Sequence, residues 1–270
     1  MADTALPRRP LGHTGLQVSV LGLGTVKFGR NAEVKYPRPF DLPSMDALAA
    51  LLAQAAEAGI NLLDTAPAYG SSEARLGDLL TDQRDRWVLC SKAGETFEDG
   101  VSRYDFRPAS IRRSLERSLQ RLRTDHLDVL LLHSDGRDED ILLRSGALQA
   151  LQRARDEGLV RAIGMSHKTA AGGKLALDHC DVVMATLNLE YRDEAELIAE
   201  AGRRGVGVLV KKLFGSGHAA LDANRHQQSL ALGLHSPGVS SLVLGTITPD
   251  HLDSNIRLAH SLLSQAPDAG

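Results

Sequence analysis

What most constrains this chain is a rhythm: short apolar runs alternate with longer amphipathic ones along most of its length. Residues 18–24, 60–64, 87–92 and 128–133 read as strands, as do 161–165, 181–187, 206–210 and 241–244. Apolar residues at helical spacing predict helices over 45–58, 72–80, 147–157, 170–178, 194–204, 227–234 and 250–263. The clearest helix carries Ile111, Leu115, Leu119 and Leu122 on one face. Gly59 and Gly158 fall where two helices must stop. The strands are too uniformly apolar for a one-sided sheet, so they read as parallel strands wrapped by helices. About eight strand-helix units in 270 residues predict an α/β fold, a (β/α)8 TIM barrel forming one domain over residues 1–270, rather than an open doubly wound sheet. Residues 9–10 and 17–18, around His13-Thr14-Gly15, predict an N-terminal β-hairpin capping the barrel base.

Composition narrows the setting. A net charge of -3 gives no support for a nucleic-acid or acidic-membrane partner. Two cysteines, Cys90 and Cys180, cannot build a disulfide framework, which points to a reducing compartment. The first ten residues hold no apolar signal segment, and no apolar run reaches the roughly 18 residues that span a bilayer. A cytoplasmic protein is expected, without membrane or nucleic-acid partners. Its ten histidines show no metal-ligand spacing, so no metal is expected. Oligomeric state is not legible.

Four polar residues stand where apolar strands end: Asp64, then Tyr69 in the following loop, Lys92 and His133. On a parallel barrel these ends converge on one rim, so the four can meet despite their separation in sequence. Together they make a proton-transfer set. A nearby ammonium is expected to lower the pKa of Tyr69, Asp64 to hold Lys92, and His133 to present an N–H to a substrate oxygen.

The stretch Asp64-Thr65-Ala66-Pro67-Ala68-Tyr69-Gly70-Ser71-Ser72-Glu73 resembles the aldo-keto reductase motif that carries that family's catalytic Asp and Tyr. Ser91-Lys92 and Leu131-Leu132-His133-Ser134 match its Lys and His. Leu11-Gly12-His13-Thr14-Gly15-Leu16 with Leu21-Gly22-Leu23-Gly24-Thr25 resembles its opening hairpin and first strand, and Ser114 to Leu119 with Thr124-Asp125-His126-Leu127-Asp128 its third-helix signature. The resemblance runs from about residue 9 to about 258. It implies reduction of an aldehyde or ketone, the small-molecule carbonyl partner, by NADP(H), with NAD(H) as an alternative cofactor.

The resemblance also implies a cofactor site. Gly24, Thr25 and Asp64 are expected beside the cofactor, with Ser166 gripping the carboxamide. His167 stands where relatives usually have asparagine, and Asn188 where they have glutamine. Lys212-Leu213-Phe214-Gly215-Ser216-Gly217 resembles the pyrophosphate loop, with Lys212, Leu213 and Gly215 as contacts. Many relatives place a nicotinamide-stacking aromatic near here, a role open to Phe214. Gly245, Thr246, His251 and Asn255 are expected at the adenosine end, with Thr248 as N-cap and Pro249 as first residue of the last helix. Gly245 and His251 replace the lysine and arginine that many relatives hold against a 2′-phosphate. Gly22-x-Gly24 is no Rossmann fingerprint, since no crossover helix opens there.

Other features stay open or bland. Residues 29–43, rich in Gly and Pro, are a substrate lid or a surface insertion. Arg113, Arg117 and Arg121 read as a solvated helix face, and Asp135, Asp138, Glu139 and Asp140 as a hydrated loop. Cys90 reads as a core cysteine. Phe28, Tyr36, Phe40, Trp87, Phe97 and Tyr104 are candidates for pocket lining, and the short tail after Leu263 points to an open or partner-completed pocket. Two competing functions remain: a nicotinamide-binding regulatory subunit with little turnover, and a barrel isomerase, lyase or dehydratase using the same acid-base set.

Overall fold

The computed structural model describes residues 5–215, 217 and 222–265. Strands β1 (Arg8–Pro10) and β2 (Gln17–Ser19) pair antiparallel as the expected hairpin. Next come β3 (Leu21–Gly24), α1 (Val26–Gly29), α2 (Met45–Glu57), β4 (Leu62–Asp64), α3 (Ser72–Leu80) and β5 (Val88–Ala93). A second hairpin, β6 (Glu95–Glu98) and β7 (Val101–Tyr104), precedes α4 (Pro108–Leu122), β8 (Leu127–His133), α5 (Asp138–Leu143) and α6 (Ala147–Asp156). The chain continues through β9 (Val160–Ser166), α7 (Ala170–Ala176), β10 (Val182–Thr186), α8 (Ala195–Arg203), β11 (Gly207–Lys211), α9 (Ala223–His235), β12 (Ser241–Leu244) and α10 (Pro249–Ser264).

Strands β3, β4, β5, β8, β9, β10, β11 and β12 close in that order into a barrel, β12 returning to β3 with Leu242 opposite Leu21. Every pairing in it is parallel. Two apolar layers follow from strands buried on both faces. Inside, Leu62, Val88, Cys90, Val129, Leu131, Met184 and Leu209 pack on Leu11, Leu16 and Val18 of the hairpin, which plugs the base. Outside, the other strand faces meet the helices in one larger core. Gly164 is dictated by this packing, because a Cβ there would overlap the carbonyl oxygen of Val182 and the Leu131 side chain.

Local signals explain the helices. Ser44 caps α2 by accepting from the Ala47 amide at 3.1 Å. Pro108 opens α4, whose Ile111, Leu115 and Leu122 are buried, and Arg123 ends it in the left-handed region.

Several expectations need correction. The run 18–24 is two strands, not one: Val18 and Ser19 belong to the hairpin, and the barrel strand begins at Leu21. Residues 138–143 form α5 rather than a hydrated loop, and Asp138 is buried, accepting from the amides of Lys168 and Thr169 and from Thr169 Oγ1 at 2.6 Å. Arg121 is not simply solvated: it lies 3.5 Å from the buried carboxylate of Glu73. Thr248 and Pro249 do start α10, but the Thr248 side chain makes no capping bond. Ser216 and residues 266–270 lie outside the described residues.

Candidate active site

The C-terminal ends of the barrel strands open into a cleft of about 1040 Å³ lined by Asp64, Tyr69, Lys92 and His133. Asp64 ends β4, and its backbone oxygen accepts from the amide and hydroxyl of Thr25. Lys92 lies one residue from the end of β5. Its Nζ donates to Asp64 Oδ1 at 2.6 Å and to the carbonyl of Thr65 at 2.9 Å. Burial works against this ammonium, but Asp64 and Tyr69 outweigh it and raise the Lys92 pKa. The lysine is therefore a fixed cation at any physiological pH.

Lys92 Nζ sits 4.7 Å from the centroid of the Tyr69 ring. The expected lowering of the tyrosine pKa does not win. Burial raises it, Lys92 pulls it down, and Asp64 opposes Lys92, so the phenol stays protonated well above neutrality. The cluster thus holds Tyr69 as a protonated phenol, with its ring 6.3 Å from that of His133 and edge-on to it.

His133 has a partner that the sequence did not reveal. Its Nδ1 lies 2.8 Å from Oε2 of Glu95 on β6, an ion-pair contact rather than a linear hydrogen bond. Burial disfavours the Glu95 charge, yet the His133 ring and the hydroxyls of Ser102 and Tyr104 outweigh it and hold the carboxyl at about 2. An ionised carboxylate this close requires the proton to be on Nδ1. Burial keeps the imidazole below its usual pKa, with Lys92 and Lys211 adding to that and Glu95 opposing.

Other expected residues divide by position. Gly24, Ser166, His167, Lys212, Leu213, Gly245, Thr246, His251 and Asn255 line the cleft. His167 spends its Nε2 on Glu194 at 2.8 Å, and Asn255 Oδ1 accepts from His226 Nε2 at 2.6 Å. Thr25 lies behind the wall, its hydroxyl bonded to Asp64 and Ser72. Asn188 also sits off the cleft: its oxygen accepts from the amides of Glu190 and Tyr191, and its amide donates to the Lys212 carbonyl. Gly215, in the left-handed region, is not part of the described lining. Tyr36, Phe40 and Phe214 do face the cleft, whereas Phe28 is in the core and Trp87 lies at the barrel base. Phe97 lies under Arg30, whose guanidinium is 3.4 Å from its centroid.

Residues 33–40 form one wall of the cleft, with the Tyr36 hydroxyl against Gly245 and Pro37 against Gly217. The lining is strongly cationic for a chain of net charge -3. Lys27, Arg30, Lys35, Arg38, Lys92, Lys168, Lys211 and Lys212 face only two carboxylates among the described residues, Glu33 and Asp64. Lys211 was missed by the sequence reading, which ended that strand one residue early. It lies at a strand's polar end, the same signal that found Lys92 and His133.

The profile of the Aldo/keto reductase family matches residues 20–230. The chain belongs to that family. This aldo-keto reductase is 30% identical to D-threo-aldose 1-dehydrogenase from Pseudomonas sp over 75% of its own length and 68% of that enzyme's. It is 29% identical to L-galactose dehydrogenase from Arabidopsis thaliana, over 76% of this chain and 65% of that one. Its identity to the NADH-specific methylglyoxal reductase of Escherichia coli (strain K12) is 28%, over 92% and 72%. Among solved structures, one from Pseudomonas aeruginosa, assigned to the aldo-keto reductases, superposes with a TM-score of 0.87 at 47% identity, covering 95% of each chain. The family places this chain among oxidoreductases that use nicotinamide cofactors, with relatives described as dehydrogenases and reductases.

Proposed function

We propose that this aldo-keto reductase reduces an aldehyde or ketone to an alcohol with NADPH, and that Tyr69 supplies the proton. The observation that carries this reading is the Asp64–Lys92–Tyr69 cluster, in which a buried ion pair backs a protonated phenol at the cleft surface. A nicotinamide cofactor, when bound, supplies the hydride. Tyr69 gives its proton to the oxygen that becomes an alkoxide, a far stronger base than phenolate, so even a raised tyrosine pKa leaves the transfer downhill. Lys92 stabilises the phenolate left behind, and Asp64 fixes Lys92. His133 completes the pocket around the reacting oxygen.

The residues present fit a dinucleotide. The cationic lining suits its phosphates, Ser166 is placed for the carboxamide end, and Thr246, His251 and Asn255 for the adenosine end. NADP(H) is favoured over NAD(H) by the charge of the lining: its cations outnumber its two carboxylates among the described residues, Glu33 and Asp64, Asp64 is engaged by Lys92, and Lys35 and Arg38 bring positive charge to the cleft wall.

The test is oxidation of NADPH and of NADH with a panel of aldehydes and ketones, alongside direct cofactor binding. Tyr69→Phe is expected to lose roughly 10²–10⁴-fold in kcat while binding cofactor as before. Full turnover by the variant overturns the role of Tyr69. Cofactor binding without carbonyl-dependent oxidation supports the regulatory alternative, and carbonyl turnover without cofactor consumption supports the non-redox one.

A further inference from the structure

Lys211 ends β11 in the wall of the cleft. Its Nζ donates to Ser166 Oγ at 2.9 Å and to the backbone oxygen of His167 at 2.7 Å. Both partners are neutral. Among the described residues no carboxylate lies within ion-pair distance of it, and the nearest acidic influence, Glu194, is occupied by His167, the Thr186 amide and the Tyr191 hydroxyl. An ammonium held by neutral oxygens in a cleft with Lys92 and Lys212 is a charge without a counter-ion, and such a charge acts strongly on whatever is placed against it.

This matters because of which oxygen it holds. Ser166 is the residue that the proposed function sets against the carboxamide of the nicotinamide. A ring that reaches Ser166 comes within a few ångströms of the ammonium on the same hydroxyl. Oxidised nicotinamide carries a delocalised positive charge, whereas the reduced ring is neutral. The rest of the cofactor, phosphates included, is common to both forms and cancels in a comparison of the two.

We propose that Lys211 makes this cofactor site discriminate between redox states, holding the reduced, uncharged nicotinamide in preference to the oxidised, cationic one. The inference rests on the cofactor reading given above. Its consequence lies in cofactor exchange: the spent cofactor is the weaker ligand and leaves readily, reduced cofactor replaces it, and by the same linkage hydride transfer on the enzyme becomes less favourable.

The preference is also pH-dependent. Burial and then Lys212 lower the Lys211 pKa to about 7, with Lys92 adding to the effect and Glu194 and Asp138 opposing it. Charged groups facing the lysine from neighbouring elements are therefore Lys92 on β5, Asp138 on α5, Glu194 ahead of α8 and Lys212 next in the chain, with His133 and His167 as neighbouring imidazoles. Below about 7 the ammonium repels the oxidised ring. Above it the neutral amine does not, and the preference fades.

The experiment measures dissociation constants of NADPH by fluorescence and of NADP⁺ by competition, from pH 6 to 8.5, with NADH and NAD⁺ run in parallel. Wild type, Lys211→Met and Lys211→Arg are compared. At pH 6 the wild-type ratio of the NADP⁺ to the NADPH constant is expected to be about tenfold larger than in Lys211→Met, the scale of a unit-charge repulsion across a partly solvated cleft. It should fall several-fold by pH 8.5. Lys211→Arg should keep the ratio and lose its pH dependence, because guanidinium does not titrate in this range. A wild-type ratio that is flat with pH, or unchanged in Lys211→Met, overturns the role of Lys211. Failure of both forms to bind wild type overturns the cofactor reading itself.

Discussion

Removing Asp64 while leaving Lys92 tests the buried lysine–carboxylate pair of the site. The Lys92 side chain is 1% exposed and that of Asp64 5%, and they meet at 2.6 Å. With Asp64→Ala, the ammonium keeps the neutral Thr65 carbonyl and the Tyr69 ring, and no carboxylate among the described residues is in ion-pair contact with it. Stranding a buried charge costs about 3–5 kcal/mol, more than the net worth of the intact pair, because the desolvation of the survivor is no longer offset. For a barrel of this size that is a fall in Tm of roughly 6–20 °C. Lys92→Met added to Asp64→Ala removes the stranded charge and should recover about half of the loss or more. The assay is urea unfolding followed by the single tryptophan, Trp87, which is buried at the barrel base far from both substitutions. The reasoning fails if Asp64→Ala costs under about 1 kcal/mol, or if the double variant is no more stable than the single one.

Two further outcomes are expected. Glu95→Gln should lower the His133 pKa further, since Glu95 raises it against burial, and should free the ring to change tautomer; nitrogen-15 shifts of the imidazole report both, and an unmoved titration refutes the pairing. Asp138→Ala should destabilise the protein by about 2–3 kcal/mol, because four donor contacts from Lys168 and Thr169 lose a buried acceptor. Burial opposes the Asp138 charge, but those donors and Ser134 hold its pKa below the usual carboxylate value. Its contribution is therefore complete above the unfolded-state pKa and lost as pH falls through the folded one, so the gap between wild type and variant should close in acid.

The barrel was legible because its strands are buried on both faces, and an unbroken apolar run carries that signal without help from neighbours. Elements that depend on polar chemistry were passed over. The β6–β7 hairpin is mostly exposed, and its sign was the Asp99-Gly100 turn, whose two residues adopt φ of 52° and 78°. Helix α5 was hidden by its acidic start, yet Ile141 and Leu142 are its buried face. In the site, strand-end position found Asp64, Lys92 and His133 because backbone topology alone brings them together. That rule could not find Glu95, which reaches His133 from a hairpin rather than from a strand end. Asn188 met the positional rule, but an asparagine after a strand is equally suited to bonding its own loop, and here it does so.

The pairing of β12 with β3 has a consequence for synthesis. Leu21 emerges early and its partner Leu242 more than two hundred residues later, so the β3 edge has no mate until β12 has left the ribosome. Arg9, which donates to the carbonyls of Leu234 and Val239, waits just as long. Closing the ring is therefore a late event with a large loop-entropy cost, and the nascent open sheet carries an unsatisfied edge throughout translation. Substitutions that slow the docking of β12 should lower the yield of folded protein without altering the finished enzyme's stability to the same degree.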